Sequence, residues 1–163
     1  MSAFDDAIAA LLAHEGGLAD DPKDPGGLTR WGISARSYPN RDIRNLTRDE
    51  AVAIYRRDFW DALHLDQLPA KLARAVFDTA VNQGQGAAAK LLQRALGVPD
   101  DGRIGPATLA ALARSAPRSD DLLRDFFAWR AIRYAEVPRE QWDRFKLGWM
   151  RRLLDEHKAA VNA

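Results

Sequence analysis

The chain has 163 residues, 47% of them hydrophobic, and a formal net charge of +1. That is enough apolar material for the core of one domain, while the near-neutral charge and the lack of any nucleic-acid-binding motif give no case for a DNA or RNA partner. With no cysteine and three scattered histidines, the chain has neither disulfides nor metal-ligand spacing, so no metal and no cofactor are expected.

The N-terminal residues Met1 to Asp6 lack a basic stretch and an unbroken apolar run, so no secretory signal is expected. No segment approaches the roughly 20 apolar residues of a membrane span, and stable membrane insertion is not expected. Phe4, Ile8, Leu11 and Leu12 recur at helical spacing and predict a helix over residues 3–14. Glu15 extends that apolar stripe, and Gly16 and Gly17 stop the helix behind it. Partial burial and the negative end of the helix dipole both favour the protonated form of such a carboxyl, as a general acid requires.

The following loop, with Asp20-Asp21-Pro22, Asp24-Pro25-Gly26-Gly27 and Trp31-Gly32, is dense in turn signals. Leu28 to Ile33 reads as a short strand, so residues 18–33 are expected to form a small β-hairpin beside the helix end. Such a hairpin turns Asp24 and Thr29 toward Glu15. One carboxyl protonates a leaving oxygen, and a carboxylate with a hydroxyl holds a water on the other face of a sugar, which suffices to cleave a glycosidic bond. Each residue alone has a plainer reading: a frayed terminal Glu, a turn Asp capping its own backbone, an ordinary strand Thr. It is the combination that points to chemistry.

Glu15-Gly16-Gly17, then Asp24-Pro25-Gly26-Gly27-x-Thr29, then Trp31-Gly32-Ile33-Ser34 resembles the signature of glycoside hydrolase family 108, the bacterial and phage N-acetylmuramidases. The spacing is also similar to the catalytic triad of phage-type lysozymes, which usually have one more residue before the Thr. The resemblance implies a mainly α, lysozyme-like domain with one small β-hairpin near the active site. Glu15 is then the catalytic acid, Asp24 and Thr29 its supporting pair, and Trp31 a substrate contact.

Residues 34–45 are polar and expected to hold a short helix and loop. Thr47-Arg48-Asp49-Glu50 is a capping box. It opens a helix to about Trp60 with Val52, Tyr55 and Phe59 on one face. Tyr55 and Trp60 read as core aromatics, with stacking on a sugar ring as the functional alternative. Pro69 opens the next helix, with Leu72, Val76, Phe77, Ala80 and Val81 inward. Asp78 and Asn82 fall four apart on a neighbouring stripe, by default a solvated one. The stretch Phe77-Asp78-x-Ala80-Val81-Asn82-x-Gly84 resembles a cleft segment of the family, which implies that Asn82 and Asp78 bind substrate.

Residues 87–96 predict a helix with Leu91, Leu92 and Leu96 inward, and Gly97 as its stop. Gly105 and Pro106 open another, with Ile104 placed to staple it. This stretch, Leu91 to Gly97 and Asp101 to Thr108, resembles predicted peptidoglycan-binding segments, although turn and cap chemistry explains its conspicuous residues. Ser119-Asp120-Asp121 is expected to cap a helix that buries Leu122, Phe126, Trp129 and Ile132 or Arg133. Pro138 opens the last one, with Trp142, Phe145, Trp149 and Leu153 in register and Gly148 for close packing. Arg144, Lys146, Arg151 and Arg152 read as a solvated basic face, with the anionic wall as the alternative partner.

The expectation is a single lysozyme-like domain over 1–163, with the catalytic motif in 1–85 and a peptidoglycan-binding-like segment in 86–163 packed into the same domain. On the resemblance it is a monomeric endolysin that cleaves the β-1,4 bond between N-acetylmuramic acid and N-acetylglucosamine. Its partner is the peptidoglycan glycan strand, reached from the cytoplasm through a holin or another export route. A lytic transglycosylase is the first alternative, but it has no need of Asp24 and Thr29. A non-catalytic wall-binding or secretion-assisting protein is the second, and it has no need of the triad at all.

Overall fold

The computed structural model describes residues 2–14, 17–19 and 27–162. It divides into two compact units, Met1–Trp60 and Asp61–Ala163. The described residues are mainly α-helical with one small antiparallel sheet.

In the first unit, helix α1 (Ala3–His14) buries Phe4, Ile8, Leu11 and Leu12, the stripe that its spacing predicts. Phe4 packs edge-on against Trp60, with ring centroids 5.3 Å apart. The sheet is a meander of β1 (Leu18–Ala19), β2 (Thr29–Arg30) and β3 (Ile33–Ser34). Arg30 pairs with Ile33, so Trp31 and Gly32 alone make the turn, at φ of 54° and 76°. Two successive positive φ values are the signature of a tight hairpin turn. The single strand expected over residues 28–33 is therefore folded back on itself at Trp31-Gly32, where the glycine tolerates what the indole must be held to.

Hydrogen bonds from neighbouring segments hold it. Tyr55 Oη donates to the Trp31 carbonyl at 3.1 Å, Trp31 Nε1 donates to the Leu46 carbonyl at 3.2 Å, and Arg30 Nη1 donates to the Arg44 carbonyl. Residues 35–47 form turns and no helix, pinned by buried Ile43 and Leu46. Tyr38 Oη donates to Asp58 at 2.8 Å; burial and then this bond push the phenol up to about 12, so it stays a donor.

Helix α2 (Arg48–Tyr55) starts at the expected capping box, with Glu50 N donating to Thr47 Oγ1 and Thr47 N donating to the Glu50 carboxylate. It runs into a π-helical turn over Arg56–Asp61. The wider turn brings Trp60, five residues on, to the face of Tyr55, and both are buried along with Ala51 and Ile54. Val52 and Phe59, expected inward from α-helical periodicity, are only half-buried.

In the second unit, α3 (Ala70–Gln83) packs on α4 (Gln85–Leu96) and on α7 (Arg139–Val161), while α6 (Ser119–Ala135) packs on α4 and α7. Leu72, Val76, Phe77, Leu91, Leu92 and Phe126 form the centre of its core. Each contributes about 1.5–3 kcal/mol by burial. Helix α5 (Pro106–Arg114) starts as expected, with Gly105 as cap and Pro106 in its first turn.

Gln93 joins α4 to the turn ahead of α5: its Nε2 donates to Asp101 at 2.7 Å, and its Oε1 accepts from the Gly102 amide at 2.9 Å. The start of α6 differs from expectation. A short 3-10 turn at Ala116–Arg118 feeds straight into it, so Ser119 is its first helical residue and not its cap. Its buried face is Leu122, Leu123, Phe126, Phe127, Arg130 and Tyr134, while Ile132 and Arg133 are exposed. Gly148 is exposed, and a Cβ there would meet nothing within 4 Å, so it serves no close packing.

Candidate active site

Of the three residues read as catalytic, Thr29 lies within the described structure; Glu15 and Asp24, with Gly26, lie outside the described residues. Thr29 sits on the central strand, half-buried, paired with Ala19 on one side and Ser34 on the other. Its Oγ1 donates to the Gly27 carbonyl at 3.2 Å. That bond spends the one hydroxyl proton, so Thr29 faces any ligand as an acceptor only.

Gly27 has φ +65°, with open space where a Cβ would go. Substitution there meets backbone strain and no clash. Gly27→Val is expected to cost about 1–2 kcal/mol locally and to displace the Thr29 hydroxyl with the carbonyl it is tied to. Since misplacement by about 1 Å can cost about 10²-fold in rate, activity should fall further than the melting temperature. Gly27→Asn, which tolerates positive φ, should recover most of the loss. Equal rates for wild type and the Val variant would show that this turn positions nothing.

The other expected contacts divide. Trp31 is half-buried at the hairpin turn. Tyr55 is 1% exposed, so its ring is no platform for a sugar; it acts by holding the Trp31 turn. Asn82 is exposed near the end of α3, and its Nδ2 donates to the Asp78 carbonyl at 2.7 Å and to its carboxylate at 3.1 Å.

Asp78 is not on a solvated face. It is buried, with one carboxylate oxygen 2.7 Å from Arg130 Nη2 and the other 2.7 Å from Arg152 Nη2. A direct substrate contact is therefore corrected to a positioning role: Asp78 fixes Asn82 and Arg152. Arg152 is likewise no member of a solvated basic face. Arg130 is fully buried, and its only signal in the sequence is a charge falling in register with Phe126 and Tyr134.

Glu156 joins the same junction through Arg74 at 3.4 Å. Burial, then the nearby Asp78 carboxylate, raises it above the ordinary value of 4.5, against the pull of Arg74, Arg152 and Arg130. A raised carboxyl keeps its proton longer in the folded chain than in the unfolded one. Across that window the folded state holds more protons, so stability falls as pH rises. The stability of wild type relative to Glu156→Gln should decline from about pH 4.5 upward and level off above the raised value. Denaturant titrations across pH measure this; a difference independent of pH would refute it.

Asn82, Gln83, Arg133, Tyr134, Trp149 and Arg152 line a cavity of ≈ 200 Å³ where α3, α6 and α7 meet. Among the described residues, no group of three His, Asp or Glu is placed to hold a metal, and no helix is long and apolar enough to cross a membrane.

A family model described as glycosyl hydrolase 108 matches residues 8–84. The solved structure of Brucella abortus SagA is 32% identical, covers 98% of this chain and 94% of its own, and superposes with a TM-score of 0.86. The chain belongs to glycosyl hydrolase family 108. A second model, described as a predicted peptidoglycan domain, matches residues 87–154 of this family 108 chain. No curated protein matches it. The fold is mainly α and lysozyme-like, and the protein is a glycoside hydrolase that acts on peptidoglycan.

Proposed function

We propose that the protein is an N-acetylmuramidase that hydrolyses the β-1,4 bond between N-acetylmuramic acid and N-acetylglucosamine, with inversion at the anomeric carbon. The observation that carries the reading is the Thr29 hydroxyl, fixed by Gly27 as an acceptor within a motif that also supplies Glu15 and Asp24. In this mechanism Glu15 gives its proton to the glycosidic oxygen as the bond to the anomeric carbon breaks. A water attacks that carbon from the opposite face. Asp24 takes one of its protons, and Thr29 accepts a hydrogen bond from the other, which aims the oxygen lone pair at the sugar. Trp31 and Asn82 are the proposed substrate contacts. The catalytic motif belongs to residues 1–85, and residues 86–163 contribute wall affinity. The enzyme is a monomer that acts as an endolysin, reaching the periplasmic face of the wall through a holin or comparable route.

Mass spectrometry of soluble digestion products tests the bond and the reaction class. A reducing N-acetylmuramic acid end is expected; a 1,6-anhydro end would make the enzyme a lytic transglycosylase. The water-holding role has its own test. Thr29→Val should lower the rate about tenfold or more while binding of wall fragments persists. NMR of the first product should show the α anomer. An initial β anomer, or a covalent adduct on Asp24, would replace inversion by a retaining mechanism.

A further inference from the structure

The cavity between α3, α6 and α7 is not furnished for a sugar ring. Trp149 is its largest aromatic, but that ring already stacks on Tyr134, with centroids 5.1 Å apart and planes 14° apart, and Phe145 lies against it at 5.6 Å. Little open face is left for a pyranose. The polar lining is of another kind, with two guanidiniums, Arg133 and Arg152, and the carboxamides of Asn82, Gln83 and Gln141.

One carboxylate, that of Asp78, serves both Arg130 and Arg152, and Arg133 lines the same cavity as Arg152. Arg133 is exposed on the cavity rim. Gln83 adds a second, independent observation. Its amide nitrogen and oxygen are both shielded from solvent, and neither has a hydrogen-bond partner among the described residues. A buried amide left unpaired is costly, and a ligand that offers both an acceptor and a donor removes the cost. Asn82 spends its donor on Asp78, which leaves its carbonyl oxygen for a ligand N–H. Guanidiniums beside paired amide groups fit a short peptide that carries a free carboxylate.

We propose that this cavity binds the peptide stem of peptidoglycan, with a stem carboxylate on Arg133 and Arg152 and a stem amide on Gln83. The proposal rests on the peptidoglycan reading, which supplies the class of ligand, and it makes the enzyme selective for glycan that still carries its peptides.

Calorimetric titration of the full chain with the soluble tripeptide L-alanyl-γ-D-glutamyl-diaminopimelate tests it without turnover. The tripeptide should bind, its fully amidated form should bind at least about tenfold more weakly, and N-acetylglucosamine disaccharide should not compete. Arg133→Gln and Gln83→Leu should each weaken tripeptide binding about tenfold or more. Thermal melts identify folded variants, and exposed Arg133 is the one least able to disturb the fold. Absence of tripeptide binding, equal binding by wild type and a folded Arg133→Gln, or displacement by the neutral disaccharide would overturn the proposal. A chain that digests the wall but ignores the tripeptide loses the pocket and keeps the hydrolase reading. A chain that binds the tripeptide but releases no sugar keeps the pocket and loses the hydrolase reading.

Discussion

Glu15→Gln is expected to fold as wild type does and to lose roughly 10²–10⁴-fold in rate, the usual consequence of removing a general acid. The last turns of α1 bury Leu11 and Leu12, each 6% exposed, and the helix ends at His14. In the sequence Glu15 stands four residues after the first of these and three after the second, which is the spacing of the apolar stripe. Gln keeps the size and the hydrogen-bonding capacity of the side chain but has no proton to give a leaving oxygen. Matched melting curves with a collapsed rate on purified peptidoglycan are the expected pair of results. A soluble Gln variant that retained more than about a tenth of the rate would remove Glu15 from the mechanism, since a general acid is worth far more than that.

Local signals were the ones best read from sequence. The capping box at Thr47, the glycine and proline that open α5 and the apolar stripe of α1 depend on residues within a few positions of one another, and the structure has each of them. Periodicity misled where the helix changes its pitch. An α-helical wheel turns Phe59 inward, but the π-helical turn after Tyr55 turns Trp60 inward. It misled again at Trp31, where a positive φ on an indole is paid for by Tyr55 and Leu46, residues that no local rule connects to it.

The candidate site divides in the same way. Glu15, Asp24 and Thr29 stand out as a candidate triad because they share one short motif. The Asp78–Arg130–Arg152 cluster did not stand out, because its members lie on three helices and no local spacing connects them. A charged residue in an apolar register, such as Arg130 between Phe126 and Tyr134, is the one trace such a cluster leaves.

That cluster carries the second large effect. Asp78→Ala is expected to destabilise the chain by roughly 3–5 kcal/mol, the cost of stranding a buried charge. At about 2–4 °C per kcal/mol for a chain of this size, the melting temperature should fall by about 6–20 °C. Arg130 is 0% exposed, and its Nε and Nη1 already lack hydrogen-bond partners among the described residues. It is Asp78, 2.7 Å away, that neutralises it. Glu156 is near enough to be felt by Arg130 and softens the loss, yet burial already disfavours its own charged form. The magnitude therefore belongs to the imbalance and not to the strength of the ion pair itself. Arg130→Met separates the two. If the stranded guanidinium is the cost, Asp78→Ala in the Arg130→Met background should cost much less than in wild type, with a coupling of about 1–3 kcal/mol. If the two losses simply add, Asp78 acts through Asn82 and Arg152 instead, and Arg130 is held by its apolar neighbours alone.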